Sequence, residues 1–176
     1  MKKAILPLAI LAGALAIGCS TMQTSVDYDH GIDWTRYHTF LLGEGAKAPT
    51  DFVQKRIENA IISALNARGL SLVTSNPNLI VYPHVVLTHE KQWNAQTVGG
   101  YYGYGYHGWG GGGMTTVTSE TIPIGTLIVD LVDTKTKDVI WRGTAQDEVT
   151  GKGEDRGKAQ EAANKLFENF PPAAGK

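Results

Sequence analysis

The chain has 176 residues, 16 basic against 17 acidic side chains, 42% hydrophobic content and a single cysteine. That length suits one domain with a core of ordinary size, with room for a short targeting segment. The even charge excludes a strongly basic nucleic-acid binder and an acidic solvating tail. No run reaches the ~18 apolar residues of a spanning helix, and one cysteine excludes an intrachain disulfide framework.

Residues 1–19 read MKKAILPLAILAGALAIGC. Lys2 and Lys3 give a positive start, and Ala4 to Ile17 is an uncharged, mostly aliphatic stretch of 14 residues. That is the length of a signal peptide and too short for a bilayer. The small residues Ala16 and Gly18 precede Cys19, so the only cysteine stands at the signal boundary itself. The segment Leu15-Ala16-Ile17-Gly18-Cys19 resembles the lipobox of bacterial lipoproteins, with Leu15 one place earlier than that family favours. The resemblance implies a diacylglyceryl group on the Cys19 thiol, cleavage before Cys19 and acylation of the new amine. Palmitate is the label such chains would carry. Three acyl chains make a stable anchor where one is marginal, because each buried methylene is worth about 0.8 kcal/mol. Ser20, rather than aspartate, implies by the same resemblance an outer-membrane location with the domain facing the periplasm. The mature chain carries 14 basic and 17 acidic groups, so it has no electrostatic reason to seek nucleic acid. Its expected partners are the membrane, through the acyl chains on Cys19, and an envelope protein or glycan.

The expected organisation is a signal peptide over 1–18, a lipidated tether over 19–25, one domain over 26–172 and a tail over 173–176. Residues 20–25 are polar and reach roughly 20 Å when extended. Val26–Asp29 and Thr39–Leu42 read as short strands around the turn-rich His30-Gly31-Ile32-Asp33. From Asp51 to Arg68, Val53, Ile57, Ala60, Ile61, Ala64 and Leu65 recur at helical spacing, with Thr50 as N-cap and Gly69 at the left-handed C-terminal position. Leu70–Val73 and Leu79–His89 read as strands, and Pro83 places part of the second at an edge or a bulge. Thr115–Ile122 is a further strand. A hairpin follows, Gly125–Asp133 and Asp138–Val149, with Leu127, Val129 and Leu131 on one face of the first arm and Val139, Trp141 and Ala145 on one face of the second. Lys158–Phe170 carries Ala159, Ala163, Leu166 and Phe170 on one helical stripe, ended by Pro171-Pro172. The order predicts an α+β fold, a mainly antiparallel sheet with two helices packed on one face.

Between the strands lies a long glycine- and aromatic-rich hairpin loop. Nine of the 15 residues from Gly99 to Gly113 are glycine, and the rest are Tyr101, Tyr102, Tyr104, Tyr106, His107 and Trp109. Glycine at that density does not hold regular structure. Tyr and Trp rings suit partners, glycans or a lipid interface, so Tyr101, Tyr102, Tyr104, Tyr106 and Trp109 are the candidate partner-binding residues.

Catalytic chemistry finds little support. Gly103-x-Gly105-x-x-Gly108 matches a dinucleotide fingerprint only because the segment is glycine-rich, and it lacks the strand–turn–helix context. His89-Glu90 opens like a zinc-protease motif, but the second histidine position holds Trp93. His84 and His89 fall on opposite faces of a strand. Asp27, Asp29, Gly31 and Asp33 resemble a calcium loop with glycine one place early and His38 where the last carboxylate belongs, which reads as a solvated turn. Asp130 and Arg142 are placed to pair across the hairpin as a structural ion pair. The expectation is therefore no catalytic residue, no metal and no cofactor. The alternative is a periplasmic hydrolase acting on envelope glycans or lipids.

A set of short segments carries a wider resemblance. They are Val26-Asp27-Tyr28-Asp29, Trp34-x-x-Tyr37-x-Thr39-Phe40, Asn76-Pro77-Asn78-Leu79-Ile80-Val81, Gly125–Asp133, Val139-Ile140-Trp141-Arg142-Gly143 and Phe170-Pro171-Pro172. Together they resemble domain-of-unknown-function family 4136, a bacterial lipoprotein family, over nearly the whole mature chain, with Asn78 where that family commonly has Asp. The resemblance implies an envelope location and a fold, and no activity.

Overall fold

The protein is described by a computed structural model over residues 22–98, 114–150 and 153–171. Strands β1 (Gln23–Tyr28), β2 (Thr39–Leu42), β3 (Ser71–Leu72), β4 (Leu79–Val98), β5 (Met114–Asp133) and β6 (Val139–Glu148) form one sheet in the order β1-β6-β5-β4-β2-β3. Helix α1 (Asp51–Ala67) lies between β2 and β3, and α2 (Lys158–Leu166) follows β6.

The fold is α+β as expected, but the sheet is mixed rather than mainly antiparallel. β1, β6, β5 and β4 pair antiparallel, whereas β2 runs parallel to both β4 and β3. The cause is α1: a helical crossover returns the chain to the sheet in its original direction, which a tight hairpin cannot do. Another difference is at the start. Strand β1 begins at Gln23, inside the stretch read as tether, and Met22 is already buried in the core.

Local sequence explains the helix ends. Thr50 Oγ1 accepts the Val53 N–H at 3.3 Å, and Gly69 takes φ +87°, where a side chain would be strained. α1 buries Ile57, Ala60, Ile61, Ala64 and Leu65, and α2 buries Ala162, Ala163 and Leu166, in one core with Leu79, Val81, Leu127, Val129 and Leu131. α2 stops at Leu166, short of the expected Phe170, yet Phe167 and Phe170 still reach the core. Trp141 stacks on Phe167 at 4.9 Å and meets Phe170 edge-on at 5.9 Å; Phe170 in turn meets Trp34. Offset and edge-on pairs of this kind add to the area they bury.

One face assignment is corrected. Trp141 and Ala145 are buried together, but Val139 is half exposed and Ile140 is buried instead. The register slips between Leu131 opposite Trp141 and Val132 opposite Val139, leaving Ile140 as the extra residue of a β-bulge. Pro83 lies in β4 opposite Val129. Its neighbours Val81 and Val85 bond outward to Gly43 and Ala46, so the missing N–H of Pro83 points away from β5.

Candidate functional site

β4 and β5 pair without interruption from Leu79–Asp133 to Val98–Met114. The rest of the sheet does not follow them. β2 pairs with β4 only as far as Val81, and β6 leaves β5 at Ile124. Thr88–Val98 and its partner strand therefore form a two-stranded arm about 35 Å long, at ~3.3 Å per residue, beyond the body of the sheet. Every side chain from Val86 to Gln96 and from Thr115 to Thr121 is exposed.

The two faces of the arm differ. The helix-side face carries Leu87, His89, Lys91, Trp93 and Ala95 opposite Gly125, Pro123, Thr121, Ser119 and Val117. Trp93 is 69% exposed and Val117 57%, and they are diagonal neighbours on that face. The other face presents Thr88, Glu90, Gln92, Asn94 and Gln96 opposite Ile124, Ile122, Glu120, Thr118 and Thr116. Thus Trp93, Ala95 and Val117 put an exposed apolar patch on the outer length of one face, between Lys91, Ser119 and Thr121, while the outer length of the other face is polar. The sequence pattern ends the first strand at His89 and misses its outer half, although it reads Thr115–Ile122 opposite as a strand. Exposure on both faces removes the alternation from which a strand is read.

A second cluster lies on the sheet face away from the helices. The Asp130 carboxylate accepts two charge-assisted bonds from Arg142, Nε and Nη2 each at 2.6 Å, which is the expected cross-strand pair. The Asp130 hydrogen bond raises the guanidinium pKa above its ordinary value. His84 Nδ1 accepts the Ala46 N–H at 3.1 Å, so Nε2 holds the proton of the neutral ring and faces Asp130 Oδ2 at 3.7 Å. Both Asp130 oxygens are thereby engaged by Arg142, and the arrangement is that of an ion pair buttressing two strands.

The remaining polar residues serve turns. Asp29 Oδ1 accepts the Gly31 N–H at 2.8 Å, and Asp33 Oδ1 accepts from Thr35, with N–H at 3.1 Å and Oγ1 at 2.6 Å. These carboxylates shape the loop read as a solvated turn. His84 and His89 occupy opposite faces of β4, as their spacing predicts. Among the described residues no group of three or more His, Cys, Asp or Glu is placed to hold a metal ion, and no helix is long and apolar enough to cross a membrane. Cys19 and the loop residues Tyr101, Tyr102, Tyr104, Tyr106 and Trp109 lie outside the described residues.

The chain matches the family described as Domain of unknown function (DUF4136) over residues 24–172, and it belongs to that family. No curated protein matches it in sequence. In fold it is similar to the PelC dodecamer from Paraburkholderia phytofirmans, with TM-score 0.50, 11% identity and coverage of 83% of this chain and 94% of that one. It is also similar to a PDZ domain protein from Parabacteroides distasonis, with TM-score 0.53 and 14% identity; that match covers 86% of this chain and 35% of the other. At these identities the likeness is one of fold.

Proposed function

We propose that this protein is a cell-envelope lipoprotein, anchored through acyl chains on Cys19 at the outer membrane and facing the periplasm, whose role is non-catalytic binding of an envelope partner. The lipobox-like segment ending at Cys19 supports the anchor, and family membership is in keeping with it. The observation that carries the binding role is the β4–β5 arm. It projects beyond the sheet, carries no core residue along its outer length, and exposes Trp93 and Val117 on one face. Exposed apolar area on a projecting element is surface a partner covers. The aromatic segment 99–113 connects the two strands of the same arm, so its rings belong to the same proposed contact element.

The test places a photo-crosslinking amino acid at Trp93, Val117, Gln92 or Asn94 in the full chain and irradiates living cells. Adducts from 93 and 117, weak or absent from 92 and 94, and reduced by Cys19→Ala, are the expected result. A ladder of self-adducts assigns the partner as further copies of this chain, as in the PelC dodecamer. Equal adducts from both faces, or none from any position, overturn the proposal.

A further inference from the structure

Between the two helices and the root of the arm lies a cavity of about 590 Å³. Its walls are the apolar side chains of Val53, Ile57, Val85, Leu127, Ala145 and Ala162, drawn from α1, β4, β5, β6 and α2. The volume falls within the roughly 300–1,000 Å³ of small-molecule sites. It follows from the fold: the helices lie over the sheet where β4, β5 and β6 run side by side, and the sheet narrows to two strands just beyond Ile124. At its mouth Phe52 is 77% exposed, an aromatic ring beside an apolar cavity.

The charges at the mouth choose the ligand. Lys158 is engaged by Asp147 at 2.8 Å and Asp155 at 4.0 Å, and donates to the Glu148 carbonyl. Arg56 and Arg156 line the same cavity, and among the described residues neither has a carboxylate within ion-pair distance. Asp147 and Asp155 line the cavity too but are turned on Lys158, so the lining keeps a net positive charge, and two guanidiniums without carboxylate partners beside an apolar cavity match an anionic head on a hydrocarbon tail. At roughly 30 Å³ per water-sized group, a chain of about 16 carbons occupies close to 500 Å³.

The geometry points to a binding site for one long-chain fatty acid, its tail in the cavity and its carboxylate on Arg56 and Arg156. Met22 lines the cavity, and Cys19 precedes it by three residues in the sequence. Acyl chains attached to Cys19 carry neutral ester and amide links, so they do not answer the two arginines. A free fatty acid does.

The site itself does not depend on lipidation, and the test keeps the two questions apart. The protein is the chain from Ser20 to Lys176, which holds every residue of the described fold. A fluorescent fatty-acid analogue is titrated and displaced with hexadecanoate, hexadecanol and octanoate. Saturable one-to-one binding is expected, displaced by hexadecanoate at least tenfold better than by hexadecanol or octanoate. Arg56→Ala/Arg156→Ala should weaken hexadecanoate at least tenfold and leave hexadecanol unchanged. Ala162→Phe should block both; the exposed arginine variants remain informative if that variant fails to fold. No saturable binding by protein with an intact melting transition overturns the site. Equal affinity for acid and alcohol, unmoved by the arginine variants, overturns the carboxylate assignment. If lipidated protein from envelopes excludes the probe and yields no extractable fatty acid, the occupant is its own acyl chain and the proposal fails.

Discussion

The indole of Trp141 lies across Gly143 in β6. A Cβ on Gly143 would collide with Trp141 Cη2 and stand 3.1 Å from Leu166 Cδ2. The Trp-Arg-Gly segment is thus a packing unit: the absent side chain is the space in which the indole reaches α2 and stacks on Phe167. Gly143→Ala should therefore destabilise by about 1–3 kcal/mol as an overpacking change. Trp141→Ala should cost about 3–5 kcal/mol, because Trp141 is 2% exposed and leaves a large cavity. Urea denaturation of both variants checks this. A Gly143→Ala variant as stable as wild type would show that the indole has room to move.

Tyr37 and Asp133 tie the turn after β5 to the core. The Tyr37 hydroxyl donates to Asp133 Oδ2 at 2.5 Å, while Asp133 Oδ1 accepts the Lys135 N–H at 2.6 Å. The Tyr37 bond, above all, holds the Asp133 pKa below its ordinary value, and burial raises that of Tyr37. A lowered carboxylate pKa gives stability that is present above the unfolded value of ~3.9 and lost as pH falls through the folded one. Tyr37→Phe should cost about 1–2 kcal/mol at neutral pH. The gap from wild type should close as pH falls below ~4. Denaturation at pH 7 and at pH 3 measures both; a gap as wide at pH 3 as at pH 7 would assign the loss to packing.

Arg142 is more than half exposed, whereas the Asp130 side chain is 7% exposed. The pair is therefore asymmetric. Arg142→Ala leaves a shielded carboxylate without its main partner and should cost about 1–2 kcal/mol, moderated by solvent at the arginine. The double variant Asp130→Ala/Arg142→Ala should cost less than the sum of the singles. Additive losses in that cycle would mean that the two groups act independently.

The arm should be dispensable for folding. Replacing residues 93–119 by a two-residue Asn-Gly turn between Gln92 and Glu120 keeps the register of a pair already opposite each other. No described side chain in the removed length is buried. The melting temperature should stay within a few degrees, since loop length enters closure entropy only weakly. A large fall would place residues of the arm against the body.

Residues buried on one side are legible from sequence, and residues buried on none or bonded across long distances are not. α1 can be read because Ile57, Ile61, Ala64 and Leu65 alternate with solvent at helical period, and Thr50 and Gly69 punctuate it. The Asp130–Arg142 pair follows from the hairpin register. The parallel placement of β2 cannot be read, because strand direction is set by the crossover and not by composition. Val139 falls on the wrong face in a simple alternation because a one-residue bulge inverts the faces that follow it. The cavity leaves no local signal: Met22, Val85, Leu127 and Ala162 meet only after the chain has folded.

Growth with radiolabelled palmitate, followed by membrane fractionation, tests the anchored-lipoprotein account most directly. Wild-type protein should take up label and sediment with the outer membrane, and Cys19→Ala should do neither while retaining its fold. Label persisting in Cys19→Ala, or wild-type protein free of label, would contradict the account.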